Sequence, residues 1–223
     1  GKKAIIFIEK LTGKVKLRYC PIDISNYMVD KALGNVRKLE LTERVKLQWN
    51  ISDFENIESV SNLLRFKDFQ KNFFLLLGNT LGEFEINDLL YKIRRGMKSD
   101  DILLIGNGLD NGDHDQIIDL YKTKQIDNFL KQIPLQIGFR EEEIEFGVRF
   151  QNHRVEMYYT ILTDKRIEYQ NQKVEFNKGD QIIVGISYKY SKKDFMSFLK
   201  LYFDDVEIKL SKDGKHVLAI CKK

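Results

Sequence analysis

Proline, cysteine and histidine are scarce in this chain of 223 residues, and each shortage narrows the class of protein. The two prolines leave no proline-rich linker. The two cysteines, Cys20 and Cys221, lie in apolar, strand-like contexts, so we expect buried free thiols in a reducing compartment, and hence a cytoplasmic protein. The three histidines lack the spacing of metal ligands, so we expect no metal site.

Long apolar runs and blocks of one charge sign are also missing. No stretch approaches about 18 uninterrupted apolar residues, so we expect no membrane-spanning helix and no membrane partner. The 37 basic and 33 acidic residues are well mixed, so nucleic acid is not an expected partner, and we interpret Lys189–Lys193 and Lys222–Lys223 as solvated surface. The chain starts at Gly1, inside a helical pattern, which we interpret as missing N-terminal sequence.

The most informative stretch runs from Phe73 to Phe84. Five apolar residues without alternation, Phe73–Leu77, predict a strand buried on both faces of a parallel sheet. A Gly-Asn-Thr-Leu-Gly turn ends it, and an amphipathic helix is predicted over Glu85–Gly96. Ligands bind at the carboxyl ends of such strands, although this stretch alone fits a plain strand–turn–helix equally well.

Helix and strand patterns alternate along the first half of the chain. The predicted helices are Lys2–Lys10, Asn26–Leu39, Glu58–Leu64, Glu85–Gly96, His114–Lys122 and Ile126–Lys131. The predicted strands are Lys16–Ile22, Val45–Ile51, Asn72–Leu77 and Asp101–Ile105. This alternation predicts a parallel sheet with helices on both faces. The loop Gly106–Asp115 lacks the spacing of a calcium loop, so we interpret it as surface with a helix cap.

The pattern changes after Pro134 to short strands with polar turns. These predicted strands are Glu145–Gln151, Val155–Leu162, Arg166–Gln170 and Lys173–Phe176. A strand over Gln181–Tyr190, a helix over Lys192–Phe203 and a hairpin around Asp213-Gly214 follow. We therefore divide the chain into three parts. Residues 1–133 form the core, residues 134–180 form an inserted β-rich lobe that covers the mouth of the site, and residues 181–223 supply the C-terminal strands and helix that complete the core sheet.

Two acids, Asp23 and Asp53, end successive predicted strands. An acid at such a position can accept hydrogen bonds from ribose hydroxyls, and Phe54 beside Asp53 could lie against an adenine ring. Each acid alone is better explained as a helix N-cap or N-terminal charge. Two acids at equivalent positions, together with a glycine turn at the end of a third strand, favour a nucleoside ligand.

An ordered set of motifs resembles the histidine-specific methyltransferase family. The motifs are Tyr-Cys-Pro-Ile-Asp-Ile-Ser, Ser-Asp-Phe, Phe-Leu-Leu-Leu-Gly-Asn-Thr-Leu-Gly-Glu-Phe, Asp-Ile-Leu-Leu-Ile-Gly, Arg-Val-Glu-Met and Ile-Ser-Tyr-Lys-Tyr. Members are S-adenosylmethionine-dependent enzymes related to the histidine Nα-methyltransferase of ergothioneine synthesis. The resemblance implies an α/β class I methyltransferase fold, a Rossmann-like sheet with the inserted β-rich substrate lobe.

The resemblance also implies which residues bind S-adenosylmethionine. Asp23, with Ser25 beside it, would bind the ribose, and Asp53-Phe54 the adenine. The other residues that the resemblance assigns to cofactor binding are Gly1 and Lys2 at the first helix and Gly78, Asn79 and Thr80 on the glycine turn. Lys2 matches the family's cofactor lysine. The resemblance implies that the first strand and most of the glycine loop of the family either precede this sequence or were lost from it.

The substrate side departs from the family. Glu83 stands where the family has Asn, and Gly185 stands where it has Glu, whereas Met157 and Ser187 are kept. Because a buried polar site penalises unpaired groups, such exchanges predict an acceptor other than histidine. We interpret Tyr158, Tyr159, Tyr188 and Tyr190 as structural in part, with one or two of them, Tyr190 as the candidate, forming a wall for a cationic or amine substrate by cation–π contact.

We therefore expect an enzyme that N-methylates a small amino-acid-like or amine substrate, with Glu83 holding a cationic group or taking up a proton. A catalytically inactive binding or regulatory protein on the same fold is the main alternative. A dehydrogenase with Asp23 on an NAD ribose is a third possibility, which the ordered motifs disfavour.

Overall fold

The computed structural model describes residues 1–39, 45–169 and 172–223. Gln170, the predicted end of one short strand, lies outside them. The helices are α1 (Lys2–Thr12), α2 (Asn26–Arg37), α3 (Ile57–Leu64), α4 (Ile86–Gly96), α5 (His114–Tyr121), α6 (Lys124–Leu130), α7 (Gln132–Ile137) and α8 (Lys192–Tyr202). The strands are β1 (Leu17–Tyr19), β2 (Val45–Leu47), β3 (Phe73–Leu77), β4 (Ile102–Gly108), β5 (Ile144–Gln151), β6 (Arg154–Ile161), β7 (Lys165–Tyr169), β8 (Gln172–Phe176), β9 (Gln181–Tyr188), β10 (Asp205–Leu210) and β11 (His216–Lys222). Short 3-10 helices cover Phe54–Asn56, Thr80–Glu83 and Glu141–Glu143.

The core is a mixed sheet with the strand order β10-β11-β4-β3. β3 and β4 are parallel, while β11 runs antiparallel to both β4 and β10, as the predicted C-terminal hairpin requires. β1 and β2 form a separate parallel pair, and no ladder joins that pair to β3 within the described ranges. The carboxyl ends of β1, β2, β3 and β4 carry the turns that form the candidate site.

Helices α4 and α8 bury one face of the core sheet. Their apolar stripes, which include Ile86, Leu90 and Phe195, pack on Leu103 and Ile105 of β4. Burial of this kind stabilises by roughly 25 cal/mol per Å² of apolar surface. The prediction of helices on both faces concerned the parallel strands in the first half of the chain. β11, which lies outside that segment, has one open face, because its side chains alternate and Leu218 and Ile220 remain 46% and 41% exposed.

The segment after Pro134 builds two further antiparallel sheets. One has the order β5-β6-β9 and the other is the ribbon β7-β8. β9 pairs with β6, so the prediction that the strand from Gln181 would complete the core sheet is wrong. β9 ends beside the core sheet, where Tyr190 forms an isolated parallel bridge with Leu109.

Two local predictions differ from the structure for identifiable reasons. Helical structure continues past its predicted end at Lys131, because α7 runs through Pro134. That proline lies in the first turn of α7, where a missing backbone N–H costs no hydrogen bond. β4 extends to Gly108, past the predicted end at Ile105, because it pairs with β11 over its whole length.

The loop that follows β4 is closed by local hydrogen bonds. Asp113 caps α5 by accepting the Gln116 N–H over 3.1 Å, which agrees with a surface loop and helix cap. Among the described residues, no group of three or more His, Cys, Asp or Glu could hold a metal ion. None of the described helices is long and apolar enough to cross a membrane.

Candidate functional site

The tips of β1 and β2 lie side by side and carry the two predicted acids. The Ser52 N–H donates to the Asp23 carbonyl over 3.1 Å, which holds the two turns together. The Asp23 carboxylate accepts the Ser25 N–H over 2.9 Å, and the Asp53 carboxylate accepts the Asn56 side-chain amide over 2.9 Å. Each acid therefore stabilises its own turn with one oxygen, and the second oxygen of each has no partner among the described residues.

Ser25 begins α2 as its N-cap, because its Oγ accepts the Met28 N–H over 3.4 Å. Phe54 continues from Asp53 and packs edge-on against Phe84, with ring centroids 5.0 Å apart. This contact links the tip of β2 to the turn that follows β3. The Phe54 ring is partly buried against the main core, so its position is fixed by packing.

The turn after β3 is built from two consecutive left-handed residues. Gly78 has φ 97° and Asn79 has φ 67°, a conformation that favours glycine and asparagine. The Asn79 side chain also forms a hydrogen bond with β4, in which its Oδ1 accepts the Gly108 N–H over 2.6 Å. Thr80 starts the 3-10 helix that carries Glu83 away from this turn.

Gly82 brings that 3-10 helix against β9. A Cβ atom at Gly82 would lie 2.8 Å from the Tyr188 carbonyl oxygen and 3.1 Å from the Ser187 Oγ. Only glycine permits this approach without movement of the β9 backbone. As a result, Glu83 of the core and Ser187 of the second sheet reach the same cavity.

A cavity of about 360 Å³ joins these elements. It brings together five predicted site residues, Gly78, Asn79, Glu83, Met157 and Ser187. The remaining lining residues come mainly from the β4–α5 region, β9 and the start of β11: Gly108, Leu109, Asn111, Gln116, Ile117, Leu120, Tyr121, Ile186, Lys189, Lys215 and His216. A volume of this size suits a small molecule.

Two predicted substrate residues, Gly185 and Tyr190, lie outside this lining. A Cβ atom at Gly185 would lie 3.0 Å from the Met157 Cε, so a side chain at position 185 would start against a residue that lines the cavity. Tyr190 is buried in the main core and stacks on Tyr188 with ring centroids 6.1 Å apart. Burial raises the pKa of the Tyr190 hydroxyl, as expected for a packed core residue.

Glu83 is the one carboxylate that lines the described cavity. The residue keeps access to solvent, yet the protein around its carboxyl group removes enough water to raise its pKa above the ordinary value. A carboxylate with a raised pKa accepts a proton more readily than an ordinary surface glutamate.

Three residues at or near the cavity were missed or misinterpreted from sequence. Lys189, interpreted as solvated surface, is only 4% exposed, and its Nζ donates to Ser187 Oγ over 3.1 Å. Tyr121 donates from its hydroxyl to the same Ser187 oxygen over 2.9 Å. Lys3 comes near the turn after β3, because a Cβ atom at Gly78 would lie 3.0 Å from its Nζ. The alternation of β9, which places residues 187 and 189 on one face, is the signal that could have identified Lys189.

Lys2 and Gly1 have different surroundings. Lys2 is exposed at the first position of α1. A Cβ atom at Gly1 would lie 3.0 Å from the Ala32 Cα, so the start of α1 rests on α2. Lys3 therefore comes nearer to the Gly78 turn than the expected Lys2.

The family assignment comes from comparison with known proteins. The family described as histidine-specific, S-adenosylmethionine-dependent methyltransferases matches residues 1–213. The chain belongs to this family. It is therefore an S-adenosylmethionine-dependent methyltransferase, and no curated protein sequence matches it.

Solved structures that resemble this methyltransferase are distant. One is an S-adenosylmethionine-dependent methyltransferase from Clostridium acetobutylicum ATCC 824, with 14% identity, a TM-score of 0.49 and coverage of 98% of this chain and 89% of the other. Another is the PH0226 protein from Pyrococcus horikoshii OT3, with 13% identity, a TM-score of 0.44 and coverage of 100% and 92%. The amino pentose methyltransferase CalS10 from Micromonospora echinaspora has 6% identity, a TM-score of 0.41 and coverage of 100% and 91%.

The residues present in this methyltransferase fit the cofactor. Asp23 and Asp53 each keep one carboxylate oxygen without a described partner at neighbouring strand tips, which suits hydroxyl and amino donors. The positive φ of Gly78 leaves its backbone open to close approach, and the Lys3 ammonium beside it suits an anionic group.

Proposed function

We propose that this methyltransferase N-methylates a small amino-acid-like or amine acceptor bound in the cavity between the β3 turn and the second sheet. One observation carries this proposal: Gly78 and Asn79, which the family uses on the cofactor side, line the same cavity as Glu83, Met157 and Ser187. A cavity shared by both sets of residues allows an acceptor atom to approach the methyl donor directly.

The proposed cofactor site crosses the tips of β1, β2 and β3. In this proposal Asp23 accepts hydrogen bonds from the ribose hydroxyls, with Ser25 holding the turn of Asp23. Asp53 and Phe54 contact the adenine, and Gly78, Asn79 and Thr80 lie below the methyl donor. Lys3, rather than Lys2, is the candidate for the carboxylate end of the cofactor, because its ammonium is the one beside Gly78.

The sheet β5-β6-β9 serves as the substrate lobe in this proposal. Met157 of β6 and Ser187 of β9 reach the cavity, and the β7-β8 ribbon extends from the same segment. The buried Met157 supplies an apolar wall that excludes water from the acceptor. The lobe therefore sets which acceptor fits, while the core sheet sets where the cofactor lies.

The bound cofactor supplies an already activated methyl group. The chain's residues then have to orient a neutral nitrogen and keep water away. Alignment of the two reactants is the main source of the rate enhancement. Glu83 holds the cationic end of the acceptor or takes up the proton that the nitrogen must lose. The raised pKa of Glu83 supports the proton-accepting role.

The acceptor is proposed to be different from histidine. Glu83 lines the cavity where the family has Asn, and Gly185 offers no side chain where the family has Glu. The neighbouring Glu156 does not replace the lost carboxylate, because both its oxygens are held by Arg149, Gln151 and Arg154. Burial raises the pKa of Glu156, but these hydrogen bonds outweigh it and hold the pKa below its usual range.

The direct test is transfer of a labelled methyl group from S-adenosylmethionine to a panel of amino acids, amines and small peptides by the full chain. We expect incorporation into at least one small amine or amino acid, and loss of incorporation in Asp23→Ala. A protein that binds the cofactor but labels no small acceptor would contradict the proposed function. Lys200→Met, an exposed change on α8, provides a control at a residue that does not line the cavity.

A further inference from the structure

A second cavity, of about 520 Å³, lies where the β10–β11 hairpin meets the turn after β3. Its described lining comes from the end of β3, from β4, from both strands of the hairpin and from the start of α1. Among the described residues, neither Glu83 nor Ser187 lines it, and it shares only Gly78, Asn79 and His216 with the cavity of the candidate site. The second cavity is therefore a distinct place that borders the first.

The floor of the second cavity is apolar. Gly106 of β4 has no side chain, and a Cβ atom there would lie 3.1 Å from the Leu77 Cδ2 and 3.3 Å from the Leu218 Cδ2. These two leucines, from the strands on either side of β4, both reach over its backbone and form what we term the leucine floor. Leu218 remains exposed, so the apolar part of a ligand would cover surface that now faces water.

The rim of the second cavity carries positive charge and hydrogen-bond donors. Lys3 comes from α1, Lys209 from β10 and His216 from β11, and all three residues are exposed. No carboxylate of the described residues lines this cavity or lies within 4.0 Å of the nitrogens of these three side chains. An ammonium has three donors and no acceptor, and an imidazole keeps one N–H even when it is neutral. The rim is therefore suited to an anion.

The acids of the hairpin do not neutralise this rim. Asp205, at the start of β10, is paired with Lys222 over 2.7 Å. Asp213, at the tip of the hairpin, accepts the Ser211 hydroxyl over 2.5 Å. Neither acid lines the second cavity, and Glu207 of β10 does not line it either. The charge of the rim is therefore left to be balanced by a group that enters from solution.

We propose that the second cavity binds a phosphate monoester, with its phosphate at Lys209, His216 and Lys3 and its organic group on the leucine floor. A phosphate group has three terminal oxygens and a charge of about −1.5 to −2 at pH 7, which matches donors from three separate elements. A carboxylate has two oxygens and one charge, so it satisfies this rim less completely. Inorganic phosphate would leave the leucine floor uncovered. The site does not depend on which acceptor is methylated.

Lys3 is shared with the proposed cofactor site, where it is the candidate for the carboxylate end. Its three donors allow contact with both anions, but two negative groups beside one ammonium repel each other. We therefore expect S-adenosylhomocysteine and the phosphate ester to weaken each other's binding without excluding it. The two factors should be equal, on the order of two- to fivefold, because coupling between two sites is reciprocal.

The experiment measures the binding of phenyl phosphate, inorganic phosphate, phenol and benzoate to the full chain by calorimetry at low ionic strength. Phenyl phosphate should bind at least about ten times more tightly than inorganic phosphate or phenol, since only phenyl phosphate contacts both the rim and the floor. It should bind at least about three times more tightly than benzoate. Affinity for phenyl phosphate no higher than for inorganic phosphate or benzoate would overturn the inference, and so would an absence of binding.

Substitutions then assign the binding to the second cavity. Lys209→Met should weaken phenyl phosphate binding at least about threefold, and Lys209→Arg should retain most of it, because the positive charge remains. Leu218→Thr should weaken phenyl phosphate and leave inorganic phosphate unchanged, because it alters only the floor. Lys200→Met removes an exposed charge on α8 and is the matched control for the charge change. Full affinity in Lys209→Met, or an equal loss in Lys200→Met, would contradict the assignment.

Cofactor binding is measured on the same variants. Lys209→Met should leave the affinity for S-adenosylhomocysteine within about twofold of wild type, since exposed charges act weakly beyond direct contact. An equal loss for both ligands in Lys209→Met, or complete exclusion of phenyl phosphate by saturating S-adenosylhomocysteine, would place the anion in the cofactor site and overturn the inference. None of these measurements involves methyl transfer, so their outcome is independent of the test of the proposed function.

Discussion

Asn79 and Gly108 hold the ends of β3 and β4 together, because the Asn79 Oδ1 accepts the Gly108 N–H over 2.6 Å. A Cβ atom at Gly108 would lie only 3.3 Å from that oxygen, so a larger residue there would crowd the bond. The left-handed backbone of Asn79 turns its side chain toward β4. This hydrogen bond, between residues 29 apart in sequence, therefore fixes the wall between the proposed cofactor side and the proposed acceptor side of the site.

Glu83→Gln tests the proposed proton-accepting role of Glu83. We expect kcat/KM for the identified acceptor to fall by about a hundredfold, a typical general-base contribution. Because desolvation raises the Glu83 pKa, the wild-type rate should rise with pH through a midpoint above that of an ordinary glutamate, and this limb should disappear in Glu83→Gln. An identical pH profile in both proteins would exclude the role.

The same pKa shift predicts a stability effect of defined sign. Since the folded-state pKa of Glu83 is raised, its contribution to stability is present below the unfolded-state pKa and is lost as pH rises through the folded-state pKa. Glu83→Gln should therefore be at least as stable as the wild type at neutral pH. Urea denaturation at neutral pH measures this directly, and a less stable variant would show that the carboxylate has a structural partner.

Asp23 tests the proposed ribose contact. Asp23→Ala should weaken S-adenosylhomocysteine binding by roughly 1.5–3 kcal/mol, the cost of losing a charged hydrogen bond. Asp23→Asn is the matched control for local structure, because its amide oxygen can still accept the Ser25 N–H. Calorimetry on both variants separates the loss of the ligand contact from a loss of turn structure. Unchanged affinity for S-adenosylhomocysteine in a folded Asp23→Ala variant would contradict the proposed ribose contact.

Acceptor specificity is tested by restoring the family residues. We expect the wild-type chain to prefer another acceptor over histidine, and Glu83→Asn combined with Gly185→Glu to raise histidine turnover. The side chain introduced at position 185 would start 3.0 Å from the flexible end of Met157, which can move. The measurement is kcat/KM across the acceptor panel, and the highest value for histidine in the wild type would show the prediction to be wrong.

Gly82 tests the contact that joins the core to the second sheet. Gly82→Ala should destabilise the protein by about 1–3 kcal/mol and lower kcat/KM, because the added methyl group meets the rigid Tyr188 carbonyl oxygen. Gly34→Ala is the control, since nothing lies within 4 Å of its Cβ position inside α2 and alanine favours the helix. That variant should gain about 0.4–1 kcal/mol in chemical denaturation. Equal stability of the two variants would contradict the proposed close contact.

Arg65 tests a buried ion pair that supports the sheet from the end opposite the site. The Arg65 and Asp101 side chains are 4% and 0% exposed, and Asp101 also accepts the Asn72 and Lys98 N–H groups. Arg65→Met leaves a buried carboxylate unpaired and should cost about 3–5 kcal/mol in chemical denaturation. A neighbouring exposed pair is the comparison: Lys71→Met, which removes a partner of Asp100, should cost less than about 1 kcal/mol.

Local patterns in the sequence predicted most elements, and five of the residues proposed for the site line one cavity. The apolar run at Phe73–Leu77 and its glycine turn are found as β3 and a left-handed Gly78-Asn79 pair, because an unbroken apolar strand and a positive φ each leave a local signature. The predicted burial of that strand on both faces is wrong, because Phe73 is 42% exposed and Leu76 is the one buried residue of β3. The helix predicted from Lys192 is found as α8, with Ser191 as its N-cap, and the hairpin of β10 and β11 surrounds Asp213-Gly214, as predicted. Motif order identified the family, and the match over residues 1–213 confirmed it.

Tertiary structure alone decided which sheet receives a strand and which charges are buried. The sequence of β9 is compatible with either sheet, and its pairing with β6 depends on contacts distant in sequence. Tyr190 became a core residue and Lys189 a cavity residue because the end of β9 meets β4 beside Leu109. Composition and motif order thus determined the family and its elements, whereas long-range packing determined the environment, and hence the chemistry, of each charged side chain.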